Sequence, residues 1–535
     1  MQVQVLSSTP TIMKKINKIL ICGGGSAGWM TASALAFRLP QLKITLLESP
    51  GIKNIGVGES TLGHINQFFH MMNMNDKEWM PACNATYKNS IQFTDFYKKD
   101  TRFQFPFGNF HFPEPIDNID QMVQSIGEYF KIQSVHPENV SHPLGFLERE
   151  DFARYFSFNA MLAEYDKITT ENVEGYDFIR DTAYHLNADL LGQYLKKRFC
   201  KKITHVEDDI TEIKLDDTGI TRITCNDTHY TDYDLYIDCT GFKSILLRTL
   251  ERQFFQFPWL INDKAVTARI PFESEDEQQK QMHCVTDCKG INAGWLWSIP
   301  LWDRMGKGYV YSSQFLSEQE AEGEFRKETG WQGDVKQIPF KSGYMDKSWY
   351  KNVVGIGLAS GFIEPLESTG LLTTHENIIK LIRILEQHNC HVNSVDKTMF
   401  NSSNIEQIEG HASFISLHYG LSRRDDTPYW QHVTEIEYDN FEGSSIVRYN
   451  HMPRFLSSMF TNRTFDFSKI GMTYIIAGMG LNPTHDMFTT FYHPNDCSNI
   501  YHTKLNNIFK VIKRRKELIK TLPTHHEFLK THIYH

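Results

Sequence analysis

The stretch from Ile16 to Glu48 constrains the fold of this 535-residue chain more than any other. Ile16 to Cys22 ends in an apolar run of the kind a buried parallel strand shows. Gly23-Gly24-Gly25-Ser26-Ala27-Gly28 follows as a turn, Trp29 to Phe37 as a helix and Leu42 to Leu47 as a second strand. Gly23, Gly25 and Gly28 spell G-x-G-x-x-G, which permits a tight turn, close approach of backbone to a pyrophosphate and tight packing of helix on strand. Amides of such a turn, those of Ser26 and Ala27 included, face the phosphates together with the helix dipole. Glu48 ends the second strand twenty residues after Gly28, where a carboxylate accepts hydrogen bonds from a ribose 2′-OH. A lone glycine turn is weak evidence. Strand, turn, helix, strand and acid in this order predict an α/β fold with a Rossmann-like dinucleotide unit.

Composition narrows the class. Hydrophobic residues at 41% and charged residues at 22% describe an ordinary globular chain. The net charge of −9 offers no basic footprint, so nucleic acid is not an expected partner. The 37 Phe, 23 Tyr and 9 Trp suit pockets that grip flat ligands. Nine scattered cysteines form no disulfide framework, which points to a reducing, cytoplasmic setting. His283, Cys284 and Cys288 lack the second ligand pair a zinc site needs, so no metal is expected. No apolar run approaches the roughly 18–20 residues of a membrane span. The first twelve residues lack signal-peptide order and are expected to be poorly ordered, with Met13 a candidate start.

The β-rich stretch 203–238 ends in Ile237-Asp238-Cys239-Thr240-Gly241, which resembles a nucleotide-contacting segment of FAD proteins of the monooxygenase type. Asp238 is therefore an expected cofactor residue. Val353 to Ala359 reads as another buried strand ending in small residues, where Gly357 lets backbone approach the flavin. Ala183 to Leu186 followed by a helix over Leu190–Lys197 fits the same scheme. No second G-x-G-x-x-G is present for a nicotinamide nucleotide. A separate NAD(P)H-dependent reductase is the expected source of FADH2.

Trp295-Leu296-Trp297-Ser298-Ile299-Pro300 places two indoles on one face of a strand. Together, W-x-W-x-I-P and the glycine fingerprint resemble the flavin-dependent tryptophan halogenases, over roughly residues 16–485. The resemblance implies a chemistry in which FADH2, O2 and halide form hypohalous acid, which is guided to a lysine and delivered to an electron-rich arene. Gly58, in Gly56-Val57-Gly58-Glu59-Ser60, would lie by the flavin, and the essential lysine of the helix that follows would be Lys88. In Glu364-Pro365-Leu366-Glu367-Ser368-Thr369-Gly370, Glu367 would accept the ring proton, and the Thr369 and Gly370 amides would cradle the halide. Glu364 would be a structural partner. The indoles of Trp295 and Trp297 serve the core and would also wall substrate off from the flavin.

The departures fall on the substrate side. Where the family has H-P-F-G, this chain has Phe105-Pro106-Phe107-Gly108, and Phe467 or a neighbour stands for the late tryptophan before Ala477-Gly478-Met479-Gly480. No amino-acid clamp is evident in 450–467. Phe105, Phe107, Phe467 and Ser368 are the expected substrate contacts, for an indole, phenol or aniline rather than free tryptophan. Bromide and iodide are expected alongside chloride.

The expected organisation is a flavin-monooxygenase-type FAD-binding module over 13–375, with 93–150 contributing to the pocket or lid. A mostly helical substrate module follows over 376–535. Leu505 to Leu522 reads as a basic amphipathic helix with a solvated face, and a homodimer is compatible with the composition. An FAD-dependent aromatic hydroxylase and a non-catalytic flavin binder are the alternative readings.

Overall fold

The computed structural model describes residues 14–51, 57–133, 147–436, 467–480 and 497–535. Residues 1–12, and the expected clamp region up to 466, lie outside the described residues. The βαβ expectation is met: strand Lys18–Cys22, helix Ser26–Arg38 and strand Lys43–Glu48, with Lys18 opposite Lys43 and Cys22 opposite Leu47 in parallel register. They belong to a six-stranded sheet ordered Trp349–Tyr350, Val353–Gly355, Leu235–Asp238, Lys18–Cys22, Lys43–Glu48, Thr204–Glu207. Only the edge strand Trp349–Tyr350 runs antiparallel to its neighbour. Ala188–Phe199 covers the first helix, started by the Asn187 side chain, which accepts from the amides of Asp189 and Leu190.

A second sheet of seven strands is ordered Lys336–Pro339, Lys264–Pro271, Arg304–Tyr311, Gly294–Pro300, Val285–Ile291, Ser90–Thr94, Arg102–Pro106. Gly294–Pro300 carries Trp295 and Trp297 near its middle, and their ring centroids lie 6.0 Å apart, as the period of two requires. A phenylalanine-rich core that includes Phe93, Phe103 and Phe105 joins this sheet to helices Ser394–Gly420 and Phe467–Gly478. Gly471 and Gly478 rest on the rings of Phe105 and Phe103, where an added Cβ would come within 2.9 and 2.1 Å.

A third, small sheet is ordered Glu59–Ser60, Ala183–Leu186, Thr86–Lys88, and it corrects one expectation. Lys88 lies on a strand, paired with Ala183, rather than on a helix. Helix Asp76–Ala82 contains Pro81 and gives way to Asn84 at φ +50°, and β-favouring Thr86 and Tyr87 take over.

Beyond Gly370 the described elements are mostly helical: Thr369–Gln387, Ser394–Gly420, Pro428–Glu435, Phe467–Gly478, Cys497–Lys520 and His525–His532. The expected module edge at 375/376 falls inside the first of these. Cys497–Lys520 corrects the reading of a wholly solvated basic face. Lys510, Lys513, Arg514 and Lys520 are exposed, but Arg515 is fully buried. Its guanidinium donates to the carbonyls of His111, Arg154 and Tyr155 at 2.6–3.0 Å, tying this helix onto the 111–155 segment. Among the described residues, no helix is long and apolar enough to cross a membrane.

Candidate active site and flavin cradle

The cradle follows from three glycines. Gly23 adopts φ +112°, and a Cβ there would meet the Cys239 carbonyl at 2.1 Å. A Cβ on Gly28 would sit 1.8 Å from the Gly23 carbonyl oxygen. Gly25 is the extended residue that starts helix Ser26–Arg38, so the amides of Ser26 and Ala27 belong to its first, unsatisfied turn. Gly357, at φ +69°, comes so close to Ala27 that a Cβ would lie 2.8 Å from the alanine methyl. Gly58, at φ +140°, rests against Ile299 and Leu301 next to the tryptophan strand. A tight glycine turn thus leads into an uncapped helix start at the ends of the parallel strands, and the residues present fit FAD.

Two details were not legible in the sequence. His205 Nε2 lies 2.5 Å from Glu48 Oε1, because Thr204–Glu207 runs parallel to Lys43–Glu48 with Leu46 opposite His205. Asp238, expected to contact the nucleotide, spends its carboxylate on its own turn: it accepts from the Thr240 amide and hydroxyl and from the amides of Leu246 and Leu247 at 2.6–3.0 Å. That is the work of a loop brace, with no oxygen left over for a ribose.

Lys88 stands at the centre of a buried polar cluster. It is fully buried, donates to Ser368 Oγ at 2.9 Å and to the Thr61 carbonyl at 3.1 Å, and lies 4.7 Å from the centre of the Phe107 ring. Burial lowers its pKa to about 7, against the opposing pull of the Cys288 thiol and Glu367. Ammonium and free amine are therefore both accessible near neutrality. Ser368 takes the left-handed conformation, φ +58°, between the turn Pro365–Glu367 and helix Thr369–Gln387. Its hydroxyl does not cap that helix and instead serves Lys88 and Ser60.

Glu367 is 1% exposed, and burial raises its pKa. His418 Nε2 stands 2.7 Å from Glu367 Oε1, a close contact whose angle falls outside that of an aligned hydrogen bond. The imidazole was not singled out in the sequence, since it reaches the site from the far end of helix Ser394–Gly420. Glu364, also buried, is held by the Tyr419 hydroxyl at 2.6 Å and the Asn262 amide at 2.7 Å. With its hydrogen bonds made within the protein, Glu364 braces the turn while Glu367 is the carboxylate close enough to act on Lys88.

Thr369 and Gly370 open a nineteen-residue helix with no side-chain cap, so their amides lack intrahelical acceptors and carry the positive end of the dipole. Nothing lies within 4 Å of the Cβ position of Gly370, and a cavity of about 10 Å³ adjoins both residues beside Leu358, Ile363 and His411. That is room for one small species. A cavity of about 550 Å³ is lined by Phe69, Asp76, Tyr87 and Tyr184, among others, and holds none of the expected site residues. The indole N–H groups of Trp295 and Trp297 are buried without a partner among the described residues. Phe105 and Phe107 pack edge to face at 6.1 Å. Phe467 heads its helix, and its side chain lies outside the described residues. His283 pairs with Asp166, and the Cys284 thiol faces the Leu162 and Lys167 carbonyls, so these two do not converge on a metal. Among the described residues, Glu48, His205 and Glu207 alone bring three potential donors together, at the cradle.

A family model described as tryptophan halogenase matches residues 18–492. The tryptophan 6-halogenase SttH of Streptomyces toxytricini is 32% identical over 441 residues, 78% of this chain and 80% of that protein. Among solved structures, apo VirX1 matches with a TM-score of 0.84 at 38% identity, over 97% of this chain and 99% of that one. Xcc4156, a flavin-dependent halogenase from Xanthomonas campestris, matches with a TM-score of 0.78 at 26% identity, over 97% and 98% of the two chains.

Proposed function

The chain belongs to the tryptophan halogenase family of flavin-dependent, FADH2-using enzymes, and from that premise we propose that it halogenates a simple electron-rich arene through Lys88. The observation that carries this reading is a fully buried lysine held between Ser368, the Thr61 carbonyl and the Phe107 ring, beside a buried glutamate. Gly23, Gly25, Ser26, Ala27, Gly28, Glu48, Gly58 and Gly357 would hold FADH2, which would give two electrons to O2 so that one oxygen atom leaves as water and the other oxidises halide to hypohalous acid. Thr369 and Gly370 hold the halide through their amides.

Lys88 then receives the hypohalous acid. As ammonium it hydrogen-bonds the oxygen and orients the halogen; as free amine it forms an N–X bond while hydroxide leaves with the amine proton as water. The arene attacks the halogen, and Glu367 accepts the ring proton that must leave for aromaticity to return. Trp295 and Trp297 keep the arene from the flavin. Phe105, Phe107 and the Phe467 region supply apolar contact, worth about 25 cal/mol per Å² and poor at telling flat arenes apart. Free tryptophan is therefore a weak substrate, and bromide and iodide, being easier to oxidise, are used better than chloride. FADH2 comes from a separate NAD(P)H-dependent reductase.

The test supplies a flavin reductase, NADH, FAD, O2 and bromide with a panel of indoles, phenols, anilines and free tryptophan, products being read by mass. Brominated simple arenes, outpacing bromotryptophan, are the expected result, and omission of the reductase stops turnover. Addition of oxygen instead would make the protein a hydroxylase, and no product under any condition a flavin binder.

A further inference from the structure

The small sheet sets three polar side chains in one row. Ser60 pairs with His185 on one edge of Ala183–Leu186, and Thr86 pairs with His185 on the other. Thr86 and Lys88 are two apart on their strand, so both point to the same side. Thr286, from the seven-stranded sheet, completes a line of contacts that starts at Lys88. Ser368 Oγ donates to Ser60 Oγ at 2.9 Å, Ser60 Oγ and Thr286 Oγ1 are 2.7 Å apart, and Thr286 Oγ1 lies 2.8 Å from His185 Nε2. His185 Nδ1 is 3.3 Å from Thr86 Oγ1, which donates to the Pro300 carbonyl at 2.7 Å. Every member is buried.

Donor counting leaves one arrangement. A carbonyl only accepts, so the single Thr86 proton is committed to Pro300 and Thr86 Oγ1 must accept from His185 Nδ1–H. Neutral His185 then has a lone pair on Nε2, which takes the Thr286 proton. Thr286 Oγ1 accepts from Ser60, Ser60 from Ser368, and Ser368 from Lys88. A second proton on His185 would reverse each hydroxyl in turn and point the Ser368 proton at Lys88.

We propose that Ser368, Ser60, Thr286 and His185 form a one-way hydrogen-bond relay, in which neutral His185 is the positioning residue that keeps Ser368 Oγ an acceptor for Lys88. Its bearing on catalysis rests on the role proposed above for Lys88; its effect on the ionisation of Lys88 does not. The relay favours the ammonium form of a lysine that burial would otherwise discharge further. The ionisable groups facing Lys88 are Cys288 from Val285–Ile291, Glu367 from Pro365–Glu367 and His185 from the neighbouring strand; those facing His185 are Lys88 and His525. Burial, with Lys88 adding to it, holds His185 well below its ordinary value and hence neutral at working pH.

Cyanate tests this, since it carbamylates a lysine as the free amine and not as the ammonium, and is small and linear. The extent of Lys88 carbamylation, read by peptide mass across pH, gives the midpoint of its ionisation with no flavin, halide or arene present. Ser60→Ala breaks the relay while leaving almost no cavity, Thr286→Val breaks it at constant shape, and Thr286→Ser restores the hydroxyl. In both breaking variants the midpoint falls by about one pH unit, a tenfold change in the ionisation constant, and the pH profile of halogenation moves with it; Thr286→Ser stays with wild type. A midpoint that is unchanged or raised in Ser60→Ala and Thr286→Val overturns the relay even if halogenation proceeds. A shifted midpoint in a protein that halogenates nothing upholds the relay and removes the proposed function.

Discussion

Lys88→Ala loses halogenation of the arene by about a thousandfold, in the middle of the range that one positioned acid–base group contributes, while oxidation of halide continues. The two steps use different residues: the cradle glycines lie at the carboxyl ends of the parallel strands, whereas Lys88 sits on the small sheet against Phe107 and Ser368. In the variant, hypohalous acid has no captor, so it escapes and is recovered in solution by methionine or taurine. Lys88→Met shows that the loss is chemical rather than structural. Wild type holds this lysine fully buried, where desolvation outweighs its polar contacts and lowers its pKa from 10.5 to about 7. The folded state thus binds this proton less readily than the unfolded chain, and the resulting cost to stability is complete below about pH 7 and relieved as pH rises from there to 10.5. Lys88→Met removes that cost, so its melting temperature exceeds that of wild type at pH 6, and the gain shrinks as pH approaches 10. A melting temperature below wild type at pH 6 would contradict the burial argument.

Gly28→Ala weakens flavin binding by at least about a hundredfold, the effect of misplacing two hydrogen bonds to a charged pyrophosphate. The added methyl would stand 1.8 Å from the Gly23 carbonyl oxygen and 2.9 Å from its carbon, a backbone group with no flexible end to swing aside, with Cys239 Cβ 3.7 Å away. The turn must open, and the amides of Ser26 and Ala27 move with it. Gly370→Ala is the control, because nothing lies within 4 Å of its Cβ position. Flavin titration, followed by quenching of flavin fluorescence, reads both: Gly370→Ala binds FAD as wild type does, and comparable affinity in Gly28→Ala would remove the cradle assignment.

Short-range rules made the cradle legible. Strand, turn and helix are set within Ile16 to Glu48 by a buried apolar run, glycines and helix-favouring small residues, and all three elements form where expected. Lys88 was placed on a helix by the family resemblance alone, whereas Pro81, the left-handed turn at Asn84 and β-favouring Thr86 and Tyr87 are local signals for the strand that forms. Asp238 stood in a nucleotide-binding motif, but two of its four donors, the amides of Leu246 and Leu247, reach it only once the chain turns back there. Arg515 looked like one more basic residue on a solvated face. Its buried acceptors are three carbonyls some 360–400 residues earlier, beyond the reach of any periodicity. The same holds for His418 against Glu367 and for His205 against Glu48: side chains brought together by sheet register and helix packing leave no mark on local sequence. The relay lies in between, since Ser60, Thr86 and His185 each sit on a short strand, yet only the pairing of those strands aligns them.

In the proposed function, oxidised halogen reaches the arene inside the protein, by way of Lys88, without passing through solvent. This route is tested most directly by measuring brominated product per O2 consumed, with reductase, bromide and a simple indole, as methionine is added in rising excess to trap free hypobromous acid. The ratio for wild type is expected to stay constant while little methionine sulfoxide forms, and Lys88→Ala to give sulfoxide in place of bromoindole. A wild-type yield that falls in proportion to the trap would mean that the halogenating agent is free in solution, and would contradict the account.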